Sequence, residues 1–333
     1  MYSFMKNKLA VAGMVGGLSW LLMNPEAPPQ HKISNKLISA NLYLPDTATG
    51  YYRATRFDWA GLIPSLEYKG HSFFGQWFEN YSPKTHDAVI GPVESFGPLG
   101  FDDAKPGGRF VMIGIGSLRR PSPGSYSPYN LYDIIDPGKW TVKRKKDRVE
   151  FVQKLQDSTG YGYIYTKTVL LAKGKPRLTL QHSLKNTGTR AIETEVFNHN
   201  FPVIDNQLTG PEMRVIFPFN VKAEGRGWGT LAKTDGKEIV FLKGIEKRDQ
   251  VYSAGLQALD NATLTYDIKV QNQKTGAGMR ISSDQPLSKL VFWACTTTVC
   301  PEPYIKVKVA PGAEMKWDIN YEFYTFSPLY TAP

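Results

Sequence analysis

Tyr163-Ile-Tyr-Thr-Lys-Thr-Val-Leu-Leu171 and, beyond a turn at Lys173–Pro176, Arg177-Leu-Thr-Leu-Gln-His-Ser-Leu184 alternate between apolar and other residues at a period of two. Successive side chains of a strand point to opposite faces, so this period predicts two strands of a sheet, joined as a hairpin. Moving outward, Trp140–Lys143 and Val149–Leu155 continue the pattern upstream, and Glu193–Phe201, Glu238–Leu242, Met279–Ser282, Leu290–Ala294, Tyr304–Val309 and Met315–Phe323 continue it downstream. Met213–Val221 and Ala262–Val270 are further candidates, and Lys36–Leu44, Tyr51–Trp59 and Leu62–Tyr68 give hairpin signals near the start. Strand-scale segments recur every 8–14 residues or so, and outside the N-terminus no dozen residues sustain a helical period. The expectation is an all-β fold, a large antiparallel sandwich or barrel, with no fixed-period repeat. Between Pro83 and Gly138 the chain is rich in Gly, Pro, Ser and Tyr around one apolar run, Phe110–Ile115. A loop-rich tract of that length in a compact domain usually serves function.

Composition supports this reading. Among 333 residues, 30 glycines and 23 prolines suit many turns, and the apolar fraction of 41% is enough for a packed core. The net charge of +10 is spread along the chain. Its densest run, Lys143-Arg-Lys-Lys-Asp-Arg148, reads as a solvated hairpin tip, so no nucleic-acid partner is expected. The N-terminus differs from the rest. Two lysines precede an uncharged apolar run, Leu9–Met23, in the order of an export signal, and the run is short for a membrane span. No small-x-small cleavage site is clear, so an uncleaved anchor stays open, and membrane attachment would rest on this segment alone. The expected organisation is an export segment at 1–27, a proline-containing linker at 28–35, one β domain at 36–326 and a tail at 327–333, with the folded part outside the cytoplasm. Cys295 and Cys300 have an odd separation, so bridging them requires an intervening turn or bulge. Two cysteines are too few for a structural zinc site, and no metal or cofactor is expected.

The motifs of α/β-hydrolases, P-loop enzymes and HExxH zinc proteases are absent. Two features remain that carry chemistry. His199 stands where an apolar strand, Glu193-Thr-Glu-Val-Phe-Asn-His-Asn-Phe201, runs into a loop, and a histidine titrates near neutral pH. Glu302 lies between Pro301 and Pro303, which restrain its backbone. A fixed carboxylate and a histidine are the parts of an acid/base pair. His182 shares strand parity with Leu178, Leu180 and Leu184 and reads as a core or cavity-wall residue.

Three stretches together resemble the galactose mutarotase (aldose 1-epimerase) superfamily, including its hexose-6-phosphate mutarotase branch. They are Phe57-Asp-Trp-Ala-Gly-Leu-Ile-Pro-Ser-Leu-Glu-Tyr-Lys-Gly70; Leu178–Gly188 followed by Phe197-Asn-His-Asn-Phe201; and Val299-Cys-Pro-Glu-Pro303 with Pro311-Gly312, Trp317 and Tyr321. The resemblance implies a β-supersandwich with a concave sugar site. Glu302 would be the base at the anomeric hydroxyl and His199 the acid at the ring oxygen. The family's second histidine has no direct counterpart: its place, Gly91–Gly100, offers Glu94, and His86 just upstream is the candidate substitute. Trp59, Trp77, Tyr129 and Trp228, with Arg53, Arg56 and Arg119, are candidates to line a saccharide cleft. Within that set and around it, the ligand-binding expectations are Arg56, Glu94, Arg119, Asn198 and Trp228, and the glycines of Gly225-Arg-Gly-Trp-Gly229 would let backbone approach a ligand. The implied ligand is a mono- or oligosaccharide, with acidic sugars suggested by the charge. A non-catalytic carbohydrate-binding protein is the alternative, as is a polysaccharide lyase or hydrolase, for which Glu94 and Glu302 are the available carboxylate pair.

Overall fold

The computed structural model describes residues 27–260 and 262–328. It is built almost wholly from antiparallel strands, with one short 3-10 turn at Ile204–Asn206. The export segment expected at 1–27 falls outside the described residues except for Ala27, as does most of the expected tail.

The two opening strands are adjacent interior strands of a ten-stranded sheet. Gly162–Leu171 pairs with Arg177–Asn186 in register, Lys167 opposite His182, and Arg177–Asn186 pairs in turn with Glu314–Thr325. One face of this sheet is buried, and the alternation seen in the sequence is the burial alternation along each strand. Facing it is a five-stranded sheet in the order Val251–Ser253, Lys289–Cys295, Thr298–Val309, Ile192–His199, Val93–Phe96. Between them lies the main apolar core, which includes Leu178, Leu180, Val196, Ile305, Ile319 and Phe323. Each such aliphatic or aromatic side chain contributes about 1.5–3 kcal/mol when fully buried.

A second apolar cluster lies on the other side of the five-stranded sheet. It is rich in aromatic residues, among them Tyr52, Phe57, Trp59, Phe110 and Phe201. The five-stranded sheet is therefore covered on both faces, which is what creates a walled cavity rather than an open sheet surface.

Several expectations about elements are corrected. Residues 30–34, expected within the linker, form a strand paired with Ile38–Tyr43, because His31 and Ile33 continue the alternation and Ile33 is fully buried. Tyr51–Trp59 is not a strand: its backbone makes isolated bonds outward, Asp58 N–H to Glu94 C=O and Trp59 N–H to Gly114 C=O, while its rings fill the second cluster. Pro218 ends the Met213–Val221 pattern early, and the strand stops at Ile216. The loop-rich tract 83–138 holds Val93–Phe96 and a small three-stranded sheet of Arg109–Met112, Gly116–Arg119 and Ile134–Asp136. The basic run at 143–148 is the expected hairpin tip, between Lys139–Arg144 and Arg148–Gln156. The turn between Cys295 and Cys300 is also present: Cys295 pairs with Thr298 and Cys300 with Trp293, and both thiols are free.

Candidate functional site

The five-stranded sheet decides which residues meet. Phe197 pairs with Tyr304 across adjacent strands, and continuing that antiparallel register brings His199 opposite Glu302. On the next strand Val291 is opposite Glu302, and Tyr252 is opposite Trp293. All of these residues share one face. They line a cavity of about 540 Å³ together with Arg56, Trp77, Asp87, Tyr129, Arg226 and Gln250, a size within the roughly 300–1,000 Å³ usual for small-ligand sites.

His199 Nε2 lies 3.3 Å from Glu302 Oε1, and the two residues are only 3% and 6% exposed. Burial raises the Glu302 carboxyl to about 7; the nearby Arg56 opposes this and Asp87 adds to it. Burial, with Arg56 adding to it, drives His199 well below its usual value. The imidazole is held face to face with Phe201, ring centres 3.7 Å apart, and Phe201 stacks in turn on Trp77 at 4.8 Å. Phe201 sits at φ 39°, in the left-handed region that a bulky residue rarely adopts, and so turns its ring back under His199.

Glu302 lies within the strand Thr298–Val309. Prolines are tolerated on both sides: Lys289–Cys295 still pairs with the segment on one flank, but the pairing with Ile192–His199 ends at Tyr304–Phe197, so on that flank no strand demands their N–H groups. Asn200 takes over there. Its side-chain amide donates to Pro301 C=O at 2.7 Å, and its Oδ1 lies 2.7 Å from the Tyr321 hydroxyl.

Arg56 lines the cavity as expected. It is ion-paired to Asp87, and its guanidinium carbon lies 4.7 Å from the Phe57 ring centre and 5.0 Å from that of Tyr129. His86 does not reach the pair. Its Nε2 lies 2.9 Å from Asp87 Oδ2 and its ring packs edge-to-face with Tyr129, so it buttresses the wall.

Four expected ligand-binding residues are corrected. Glu94 and Asn198 pair with each other on the opposite face of the sheet, as strand parity requires, and lie between the two sheets. There Glu94 bonds Lys167, His182 and Asn198, and Lys167 also bonds Ala60 C=O at 2.9 Å and approaches Asp58 at 3.5 Å. Burial would raise Glu94, but Lys167 and His182 outweigh it and hold it low, whereas burial keeps Asp58 raised. This is a charged core tie, and it removes Glu94 from any carboxylate pair with Glu302. Arg119 is exposed on the small sheet and donates to Gly107 C=O. Trp228 donates to Tyr252 C=O at 3.0 Å and packs on Phe292, off the cavity lining.

What sequence reading missed is mostly neighbours: Asp87 beside His86, and Arg226 beside Trp228. Phe197 and Tyr304 share strand parity with His199 and Glu302, whereas Trp293 lies on the next strand and is placed by register alone. Among the described residues no group of three His, Cys, Asp or Glu side chains converges as a metal site would require.

No family model and no curated protein matches the chain. Solved structures do. A galactose mutarotase-like protein from Clostridium acetobutylicum superposes with a TM-score of 0.55 at 12% identity, covering 89% of this chain and 95% of that one. This is the galactose mutarotase-like fold. A galactose mutarotase related enzyme from Lactobacillus acidophilus gives 0.54 at 12% identity over 91% of this chain and all of its own. An aldose epimerase homologue from C. elegans gives 0.50 at 14% identity, over 90% of this chain and 100% of that one. At such identity the likeness concerns the mutarotase-like scaffold, and the chemistry has to be argued from the cavity.

Proposed function

We propose that the chain is an exported carbohydrate-active protein that interconverts sugar anomers by opening and closing the pyranose ring. The supporting observation is the Glu302–His199 pair, 3.3 Å apart on the floor of a cavity walled by aromatic rings. Ring opening needs a proton removed from the anomeric hydroxyl and one delivered to the ring oxygen, so the net proton count of the protein does not change. A pair carrying one proton suffices. Burial places that proton on Glu302 in the resting state, and the short gap lets it pass to His199. Glu302 then takes the hydroxyl proton as His199 gives its own to the ring oxygen. Closing on the other face of the aldehyde reverses both transfers. Phe197, Trp293 and Tyr304 offer faces for the C–H side of the sugar. Export rests on the N-terminal segment.

Optical rotation of freshly dissolved α-anomers, neutral and acidic, tests the reading. The protein should accelerate equilibration, and Glu302→Gln should return the rate to that of buffer. A wild-type rate equal to buffer for every sugar, with saccharide still bound, supports instead a binding protein on the same scaffold. That second reading is favoured by one observation: among the described residues, His199 is the sole histidine lining the cavity.

A further inference from the structure

The motif Gly225-Arg-Gly-Trp-Gly229 has a structural role that the acid/base pair does not use. Arg226 bridges in antiparallel fashion to Tyr252, whose N–H donates to Arg226 C=O at 2.9 Å. The approach is too close for side chains on either flank. A Cβ on Gly225 would lie 2.5 Å from Tyr252 O, and one on Gly227 would lie 2.6 Å from Gln250 O, with both glycines at positive φ, 126° and 78°. The glycines therefore seat this loop on the strand Val251–Ser253 and carry Arg226 to the cavity wall. Trp228 fastens the far side of the loop through its bond to Tyr252 C=O.

At the wall, the Arg226 side chain is exposed and makes one long contact, from Nη1 to Gln250 Oε1 at 3.4 Å; it has no carboxylate partner among the described residues. Arg56, lower in the same cavity, is neutralised by Asp87. Two large rings flank the opening without being buried: Tyr129 is 61% exposed and Tyr252 is 42% exposed, and both line the cavity. Tyr129 is held by Arg56 on its face and His86 at its edge, so its exposure is built in.

We infer that Arg226, Gln250, Tyr252 and Tyr129 form a second saccharide subsite above the Glu302–His199 pair, taking the next ring of an acidic oligosaccharide. The inference rests on reading the cavity as a saccharide site. Exposed tyrosine faces suit the C–H faces of a sugar, Gln250 suits a hydroxyl, and an unpaired guanidinium suits a ring carboxylate through a two-pronged bond. One ring seated over the pair leaves this rim free, so the preferred ligand has at least two rings.

Calorimetric titration of the full-length protein with a free uronic acid, the matching diuronide and a neutral disaccharide tests this. The diuronide should bind roughly tenfold or more tightly than the single uronic acid, and Arg226→Gln should erase that gain. Tyr252→Ala, which keeps the arginine, should reduce it. Equal affinity for one ring and two, a neutral disaccharide binding as tightly as the diuronide, or a gain that survives Arg226→Gln would each overturn the subsite. The same titrations on Glu302→Gln separate the two readings. A retained gain without turnover by the wild type removes the epimerase reading and leaves the subsite, whereas turnover without a gain removes the subsite alone. Absence of binding to all three sugars overturns both.

Discussion

The side-chain amide of Asn200 hydrogen-bonds the carbonyl of Pro301 at 2.7 Å, and this bond ties the end of the His199 strand to the backbone beside Glu302. Neither proline flanking Glu302 can donate to a neighbouring strand, and on the flank toward Ile192–His199, where the ladder ends at Phe197–Tyr304, one buried side chain makes the link instead. Asn200→Ala should lower turnover roughly ten- to a hundredfold with little change in KM, because misplacing a reacting group by an ångström costs about that much. Steady-state mutarotation kinetics check it. A change confined to KM would show that Asn200 does not position Glu302.

The titration of Glu302 makes a stability prediction with a definite sign. Its folded value of about 7 lies above the ordinary 4.5, so the folded state holds this proton more tightly than the unfolded chain does. Below about pH 4.5 there is no penalty; between there and about pH 7 the penalty grows, and above it the cost is about 3 kcal/mol. Glu302→Gln should therefore raise Tm relative to wild type clearly more at pH 8 than at pH 5. Equal differences at the two pH values would mean that the carboxyl is not raised.

Activity should follow the same group. The proposed transfer needs one proton on the Glu302–His199 pair, and loss of that proton centres near pH 7. Turnover, followed by polarimetry against the buffer rate at each pH, should fall as pH rises through about 7. A rate that keeps rising to pH 9 contradicts the shared-proton scheme.

Lys167 is fully buried and faces two carboxylates, Glu94 and Asp58. Lys167→Met leaves those carboxylates without their cation and should cost about 3–5 kcal/mol by urea unfolding. Adding Glu94→Gln should recover part of the loss, since it removes one of the stranded charges. No recovery in the double variant would place the effect of Lys167 elsewhere.

Gly227→Ala puts a methyl group 2.6 Å from Gln250 O at a φ of 78°. The loop must move away from the strand, taking Arg226 with it. Stability should fall by about 1–3 kcal/mol, and the gain in affinity for a diuronide should be lost as it is in Arg226→Gln. Retention of both would show that the loop is not seated as described.

The alternation in 163–171 and 177–184 was enough to specify strands, because burial on one face of a sheet is written directly into a period of two. The charged tip at 143–148 followed from the same local rules. The pairing of His199 with Glu302 was legible only through the order of motifs; their strand register made it a contact. Glu94, Asn198, Arg119 and Trp228 show the limit. For Glu94 and Asn198, parity relative to Val93 and His199 decides which side of the sheet they face, and that depends on strand partners far away in sequence. Trp228 and Arg226 are two apart in one motif, yet the way the glycines dock on Val251–Ser253 sends Arg226 and not Trp228 to the cavity. The sequence by itself determined most of the strands, because alternation is a local property. Which strands adjoin, which face looks into the cavity and which charges are buried were decided by tertiary structure, because each depends on neighbours a hundred residues away along the chain.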